Sequence, residues 1–187
     1  PKDTNDVLSL MEYSQKNSVP LLARGGGSSQ CGQTVGESVV LDYSKHQNKI
    51  LELNVEEKYV WVQPGVVLDH LNDYLKPHGL WFPVDVSTSS RATIGGMSAN
   101  NSCGSRSLYY GNMVHNVLAI EAILDDGSIF NFDQINKNYL ATKNNQDRLY
   151  KIIDKFIDVR QKVGSEIDAN WPTTQRRVGG YNIDLID

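Results

Sequence analysis

The amino-acid sequence predicts a mixed α+β or α/β fold built from short strands and a few helices. Short runs rich in Val, Ile and Leu alternate along the chain with segments whose apolar residues recur at helical spacing. Some neighbouring strands are separated by a helix and others only by a tight turn, and a tight turn joins antiparallel strands. The order of the strands within a sheet does not follow from this pattern.

The composition is that of an ordinary globular chain. Of 187 residues, 40% are hydrophobic and 21% are charged, and the formal net charge is −4. These values exclude intrinsic disorder, collagen-like repeats and a coiled coil. The acidic balance argues against a nucleic-acid partner bound through a basic face. No apolar run approaches the roughly 18 residues of a membrane span, so no transmembrane segment is predicted.

The cysteines and the chain ends bear on location. Cys31 and Cys103 are too few for a disulfide framework or a metal site, which favours a reducing compartment. We therefore expect a cytoplasmic protein, either free or peripherally bound at the inner membrane. The sequence has no initiator Met and no signal-peptide pattern, and we expect it to be a fragment of a longer protein.

The N-terminal part of the chain predicts two helices and four strands. Residues 4–17 have helical spacing, with Thr4 and Asn5 as candidate caps. Leucines at helical spacing indicate a helix over 68–75, which Pro77-His78-Gly79 ends. Short apolar strands are predicted at 19–23, 38–42, 50–53 and 59–63.

The C-terminal part predicts a hairpin and one long helix. Strands 117–124 and 128–132 flank Asp125-Asp126-Gly127, and the glycine tolerates the positive φ that a tight hairpin turn needs. Apolar residues at helical spacing predict a helix over 149–163, which we expect Gly164 to stop.

Glycine placement is the most informative feature of the sequence. The windows 24–36 and 95–111 hold nine of the 15 glycines in 30 of the 187 residues, several times more than uniform scatter would give. A run such as Gly25-Gly26-Gly27 costs backbone entropy and contributes no packing. Such runs are typical of places where the backbone bends through positive φ or approaches a ligand closely.

The first window, RGGGSSQCGQTVG, directly follows a predicted strand. Its successive backbone N–H groups can converge on a phosphate or pyrophosphate, with Ser28 and Ser29 as hydroxyl donors and Arg24 as a local positive charge. Each donor to a charged oxygen contributes on the order of 1.5–3 kcal/mol. A Walker A motif is excluded, and the dinucleotide-binding fingerprint fits poorly. The alternative is a tight connecting loop that binds nothing.

The second window belongs to residues 83–113, a segment rich in Ser, Thr, Asn and Gly with little periodicity. Loops this long are uncommon in compact domains and are usually functional or disordered. Apolar residues such as Ile94, Met97 and Leu108 favour order. The amide and hydroxyl groups offer uncharged donors and acceptors that suit an elongated heterocycle with carbonyl and N–H edges.

These motifs carry a family resemblance. RGGGSSQCGQT, followed by PVDVSTSSRATIGGMSANNSCGSRSLYYGN and a strand ending in LDDG, resembles the FAD-binding domain of the vanillyl-alcohol oxidase/p-cresol methylhydroxylase superfamily. Within it the match is to the glycolate oxidase subunit/D-lactate dehydrogenase branch of FAD-linked oxidases. The IGGMSANNSCG motif is similar to members that carry an iron–sulfur region further along the chain, so a cluster outside this chain is implied. The resemblance covers roughly residues 5–135.

The resemblance implies an α+β, two-lobed flavin-binding domain over residues 1–165. A small βαβ-like lobe would span about 1–64, and a lobe with a mainly antiparallel sheet and flanking helices would span about 65–165. Residues 166–187 would connect to a cap domain that binds the substrate and lies outside this chain.

The resemblance also implies which residues contact FAD. Those that would wrap the pyrophosphate are Arg24, Gly25, Gly26, Gly27, Ser28, Ser29 and Gly32. Those that would follow the ribityl chain and isoalloxazine are Pro83, Asp85, Ser89, Thr93, Ile94, Gly95, Gly96, Asn100, Asn101, Gly104, Tyr110 and Gly111. The strand containing Ile123 would present its backbone to the adenine. Several members attach the flavin through a His just after the first glycines; this chain has none there, which implies non-covalent FAD.

The reaction implied is the oxidation of a D-2-hydroxy acid, of the D-lactate or glycolate type, by hydride transfer to FAD, with a separate electron acceptor. The family places its catalytic residues in and after the cap domain, so the catalytic residues are unknown and this chain alone is expected to be inactive. Arg177 is a candidate contact to the substrate carboxylate; the alternative is a solvated basic pair with Arg176.

Two alternative functions stay open. They are a nucleotide-binding module without catalysis and an enolpyruvyl-reductase-like enzyme that uses NADPH and FAD. The oligomeric state stays open.

Overall fold

The computed structural model describes residues 1–133, 148–174, 176–178 and 181–185, and it divides into two units. The first unit comprises Pro1–Asn116 with Asp125–Gly127, and the second comprises Val117–Leu124 with Ser128–Asp187. The predicted domain boundaries at 64 and 165 stay predictions.

The first unit contains most of the described elements. In chain order they are α1 (Thr4–Asn17), β1 (Leu21–Arg24), β2 (Val39–Asp42), β3 (Ile50–Asn54), β4 (Tyr59–Val62), α2 (Leu68–Leu75), a 3₁₀ turn (Lys76–His78), α3 (Ile94–Ala99), α4 (Ser107–Tyr110) and α5 (Met113–Asn116). The second unit contains β5 (Ile120–Ile123), β6 (Ile129–Phe132), α6 (Arg148–Asn170) and a 3₁₀ turn (Ile183–Leu185).

Helix α1 begins where the sequence predicts, but its cap is different. We expected Thr4 or Asn5, whereas Asp3 is the N-cap: it has an extended backbone, and its carboxylate accepts a hydrogen bond from the backbone N–H of Asp6 at 3.1 Å. A capping residue must lie outside the helix so that its side chain can turn back to the first free N–H groups. Thr4 and Asn5 are already helical.

The strands that the structure describes form three separate pairs. β1 and β2 are parallel, with Leu21 opposite Val39 and Arg24 opposite Asp42, and the first glycine window connects them. β3 with β4 and β5 with β6 are antiparallel. The predicted hairpin is confirmed, and Gly127 in its turn has a φ of +83°.

A leucine face on α2 makes the hydrophobic core beside β3 and β4. Leu71 and Leu75 are buried together with Val66, and each buried leucine contributes roughly 1.5–3 kcal/mol. Gly79, with a φ of +68°, ends the 3₁₀ turn as predicted. The half-buried apolar residues around this cluster are Ile50, Leu53, Val60, Val62, Leu80, Phe82 and Ile94.

Helix α6 does not stop at Gly164, as the sequence predicted, but continues to Asn170. A glycine inside a helix costs about 1 kcal/mol relative to alanine. Burial of Ile167 beyond the glycine favours the longer helix, as does an ion pair between Arg160 and Asp168 with an N–O distance of 2.9 Å. In the part of the chain that the structure describes, no helix is both long and apolar enough to cross a membrane.

Candidate functional site

The glycine loop after β1 packs against the segment that leads into α3. Gly25 lies so close to Thr93 that a Cβ atom would overlap the threonine hydroxyl, and the same atom would lie 3.5 Å from the Cα of Gly96. A Cβ on Gly26 would overlap the backbone carbonyl oxygen of Arg91. The two glycine windows are therefore in contact within the first unit. At positions 25 and 26 it is protein backbone and side chain that require glycine.

Gly27 and Gly32 have a different reason to be glycine. Their φ angles are +64° and +77°, in the left-handed region that other residues avoid. A Cβ on Gly27 would lie 2.7 Å from two nitrogens of the Arg24 guanidinium, whereas a Cβ on Gly32 would meet no described atom within 4 Å. The sequence predicted a backbone bent through positive φ in this loop, and these two residues provide it.

Arg24 supplies the positive charge of this loop. Its guanidinium folds over Gly27, and among the residues that the structure describes its Nε atom is buried without a hydrogen-bond partner. A buried donor without an acceptor is costly, and more so on a charged group. An anionic oxygen would satisfy both the hydrogen bond and the charge. The loop therefore fits a phosphate or pyrophosphate group.

Two hydroxyl groups add hydrogen-bond donors to the loop besides Arg24. The hydroxyl of Thr88 donates to that of Ser28 at 3.3 Å, which leaves the Ser28 proton available to a ligand. The hydroxyl of Ser29 accepts from the backbone N–H of Cys31 at 3.5 Å, so it too keeps its proton. Both hydroxyls can therefore donate, and their contact with a ligand stays a prediction.

Asp42 lies opposite Arg24 on the neighbouring strand. The Ser44 hydroxyl donates to its carboxylate at 2.6 Å and the Ser44 backbone N–H at 2.9 Å. The hydroxyl hydrogen bond is the largest influence on the pKa of Asp42; together with the backbone hydrogen bond and the Arg24 charge, it lowers that pKa below its usual value against the opposing effect of burial. Asp42 is therefore ionised at neutral pH.

The start of α3 uses its backbone donors within the protein. Thr93 is 1% exposed and caps the helix, its hydroxyl accepting from the backbone N–H of Gly96 at 3.4 Å. The backbone N–H of Ile94 donates to Val66 O, and that of Gly95 donates to Pro64 O at 2.9 Å. A Cβ on Gly95 would also collide with Pro64. These residues fix α3 to the turn before α2, and the donors of Ile94, Gly95 and Gly96 already have acceptors.

Asp85 faces a turn rather than open space. Its carboxylate accepts from the Ser105 hydroxyl at 2.6 Å and from the Arg106 backbone N–H at 2.9 Å. A Cβ on Gly104 would overlap Asp85. Burial alone would raise the pKa of Asp85, but these hydrogen bonds and the Arg106 charge lower it below its usual value. The predicted flavin residues Asp85 and Gly104 are thus in direct contact with each other.

We call the residues predicted to follow the ribityl chain and isoalloxazine the flavin wall. Its other residues contact neighbouring segments. The side-chain oxygen of Asn100 accepts from the side-chain amide of Gln33 at 3.2 Å, which joins the two glycine windows a second time. Asn101 is 8% exposed, and its side-chain oxygen accepts from the backbone N–H of Val114 at 3.0 Å. Gly111 has a φ of +78°, and a Cβ there would collide with His115.

Trp81 and Arg106, which lie beside the predicted residue Tyr110, were not predicted from the sequence as site residues. The ring of Tyr110 meets Trp81 edge-on, with centroids 5.1 Å apart, and the Arg106 guanidinium lies 5.0 Å from the centroid of the Trp81 ring. The spacing of Trp81 and Arg106 in the sequence gives no signal that they meet, because they belong to different loops.

The remaining predicted residues are spread over both units. Pro83 is half-buried beside the fully buried Val84, and the backbone carbonyl of Ser89 accepts from the Asp69 N–H at 3.2 Å, which holds the start of α2. Ile123 lies on β5 in the second unit. Arg177, also in the second unit, forms an ion pair with Asp184 and lies 5.9 Å from the Trp171 ring centroid.

A sequence comparison identifies the class of protein. The family model described as "FAD binding domain" matches residues 1–133 of this chain. The match covers well over half of the chain, and the chain belongs to this family of FAD-binding domains.

Particular relatives narrow the class. The chain is 42% identical over 196 aligned positions to a D-2-hydroxyglutarate dehydrogenase of Haemophilus influenzae, a match that covers 100% of this chain and 19% of that protein. It is 41% identical over 133 positions to a mitochondrial D-lactate dehydrogenase (cytochrome) of Kluyveromyces lactis, covering 69% of this chain and 23% of that protein. The chain thus spans about a fifth of the length of these curated relatives. The resemblance to FAD-linked 2-hydroxy-acid dehydrogenases is confirmed.

A solved structure confirms the fold. The 6-hydroxy-D-nicotine oxidase of Arthrobacter nicotinovorans aligns with a TM-score of 0.63 over 71% of this chain and 28% of that one, at 18% identity. Identity at that level shows a shared fold alone. The mixed helix-and-strand architecture with small antiparallel sheets is therefore as predicted.

Proposed function

We propose that this chain is the FAD-holding part of an oxidoreductase that oxidises a D-2-hydroxy acid. The observation that carries the FAD-holding part is the buried Nε of Arg24, which has no acceptor among the described residues and lies at a glycine loop of an FAD-binding domain. The reaction is supported by the similarity to hydroxy-acid dehydrogenases. The guanidinium offers a charge-assisted hydrogen bond to a pyrophosphate oxygen, worth about 1.5–3 kcal/mol.

Some residues of the site would bind FAD directly, and others would hold the binding segments in place. Arg24, Ser28 and Ser29 would hold the pyrophosphate through their free donors. Thr93 and Gly25 would keep the two glycine windows at a fixed separation, since their contact leaves no room for adjustment. FAD, when bound, supplies a two-electron acceptor for the hydride on C2 of the hydroxy acid. The residue that removes the hydroxyl proton would lie outside the segment matched by the family model.

The flavin is held without a covalent bond. Residues 25–36 contain no histidine, and the cysteine in that window, Cys31, is exposed. FAD should therefore leave the protein on acid precipitation and appear in the supernatant. Flavin absorbance that stayed with the pellet would contradict non-covalent binding.

Among 2-hydroxy acids, D-2-hydroxyglutarate is the first candidate substrate, ahead of D-lactate and glycolate. Relatives named D-2-hydroxyglutarate dehydrogenase match 98–100% of this chain, whereas those named D-lactate dehydrogenase match 69–70%. The similarity to the D-2-hydroxyglutarate dehydrogenases thus extends over nearly the whole chain, beyond the matched FAD-binding domain, and this favours D-2-hydroxyglutarate as the substrate. An iron–sulfur cluster would belong to a further region of the complete protein.

Two experiments test these statements separately. The chain, freed of nucleotide, is incubated with FAD and passed through a gel-filtration column; co-elution of the flavin absorption bands is expected, and complete separation would refute the FAD-holding role. The complete protein that contains this chain is then assayed with an artificial electron acceptor on glycolate and on the D and L forms of 2-hydroxyglutarate and lactate. The highest kcat/KM is expected for D-2-hydroxyglutarate, and activity on none of them would refute the reaction.

A further inference from the structure

Asp85 makes a set of contacts that FAD binding does not explain. Its two carboxylate oxygens accept from Ser105 Oγ at 2.6 Å and from the Arg106 backbone N–H at 2.9 Å, and the Arg106 Nε lies 3.9 Å from one of them. Both carboxylate oxygens therefore already accept a hydrogen bond from the protein itself. A carboxylate would also repel the phosphates of FAD.

These contacts lie at the start of α4, where Arg106 is the residue before the first helical residue. The residue whose N–H binds Asp85 is Arg106, and the carbonyl of Arg106 accepts from the backbone N–H groups of Tyr109 and Tyr110, each at 2.9 Å. Gly104 and Ser107 bind each other across the same turn, the Gly104 N–H donating to the Ser107 hydroxyl at 3.0 Å. One carboxylate therefore anchors the turn that carries Tyr110 and Gly111.

The close approach of Gly104 makes the anchor specific. A side chain at position 104 would overlap both the carboxylate and the backbone of Asp85, so the two segments meet without room for another arrangement. Arg106 adds a further restraint, because its guanidinium also lies over the Trp81 ring. Arg106 is thus held at its backbone N–H by Asp85 and at its guanidinium by Trp81.

We propose that Asp85 is a positioning residue that fixes α4, and with it the Tyr110 side of the flavin wall, without itself touching FAD. The inference rests on the proposed function, since it requires that this wall holds the flavin. It replaces the direct flavin contact that the family resemblance assigns to Asp85 with an action through Ser105 and Arg106.

The test uses the 187-residue chain with FAD and the variants Asp85→Ala, Asp85→Asn, Ser105→Ala and the double variant Asp85→Ala/Ser105→Ala. Asp73→Ala, an exposed aspartate on α2, is the control for charge. Asp85→Ala should weaken FAD binding by about tenfold and change the visible circular dichroism of the bound flavin. Asp85→Asn keeps an acceptor for Arg106 and should recover most of the affinity. The double variant should bind FAD no more weakly than Asp85→Ala, because both substitutions remove the same hydrogen bond between Ser105 and Asp85.

Hydrogen exchange at the Arg106 amide gives a readout that needs no flavin. The amide should exchange faster in Asp85→Ala than in the wild-type chain or in Asp73→Ala. Unchanged exchange would refute the anchor, and faster exchange with unaltered FAD affinity and dichroism would refute its role at the flavin wall. Additive losses in the double variant would indicate direct contact of Asp85 with FAD and overturn the proposal. A wild-type chain that binds no FAD would instead overturn the proposed function, and the positioning role with it.

Discussion

Replacing Gly26 by alanine perturbs the contact between the first glycine window and the segment that leads into α3, at Arg91. The new Cβ would lie 3.0 Å from the carbonyl carbon of Arg91 and closer still to its oxygen. Both atoms are backbone, so relief requires that one segment moves rather than that a side chain rotates. Forcing extra volume into a packed contact costs about 1–3 kcal/mol. For a chain of this size that lowers Tm by about 2–12 °C.

Gly36 provides the matched control for that substitution. It belongs to the same window, and a Cβ there would lie 3.8 Å from the Ser38 hydroxyl, an ordinary van der Waals distance. Gly36→Ala should therefore leave stability within about 1 kcal/mol of the wild-type value. Thermal unfolding of both variants, followed by circular dichroism with and without FAD, measures the difference. Equal melting temperatures for Gly26→Ala and Gly36→Ala would refute the account of why the loop contains glycine.

Further expected outcomes concern a helix, a carboxylate and an arginine. Gly164→Ala should stabilise α6 by about 0.5–1 kcal/mol in urea unfolding, because the new Cβ would meet only the flexible end of Arg160, at 3.3 Å. The lowered pKa of Asp42 contributes stability above the unfolded pKa that is lost as pH falls through the folded pKa, so Tm should fall below about pH 4 less steeply in Asp42→Asn than in the wild type. Arg177→Ala, which breaks the pair with Asp184, should leave FAD affinity unchanged in a titration.

The elements that the sequence predicts well are those with a local cause. α1 and α2 show their apolar spacing over several turns, and the β5–β6 hairpin has a glycine where its turn needs positive φ. The short helices α3, α4 and α5 were missed because four to six residues are too few to show a helical period. The end of α6 was misplaced because burial of Ile167 outweighs the local preference of Gly164.

The sequence indicated which two segments form the candidate site, but it did not indicate which residues of those segments contact each other. Clustered glycines indicated that two separate segments matter, and the structure brings them into contact. The sequence could not show that Gly25 and Gly26 serve protein contacts, because Thr93 and Arg91 lie more than sixty positions away. The hydrogen bond from Gln33 to Asn100 also depends on that tertiary arrangement.

The central claim is that Arg24 and its glycine loop hold the pyrophosphate of FAD. The most direct measurement compares the affinities of the wild-type chain, Arg24→Ala and Lys76→Ala, an exposed cation at the end of α2, for FAD and for riboflavin, which lacks the phosphates. Arg24→Ala should weaken FAD binding by about 10- to 100-fold and leave riboflavin binding unchanged, while Lys76→Ala should match the wild type for both. Equal FAD affinity in the wild type and Arg24→Ala, or an equal loss for both ligands, would contradict the claim.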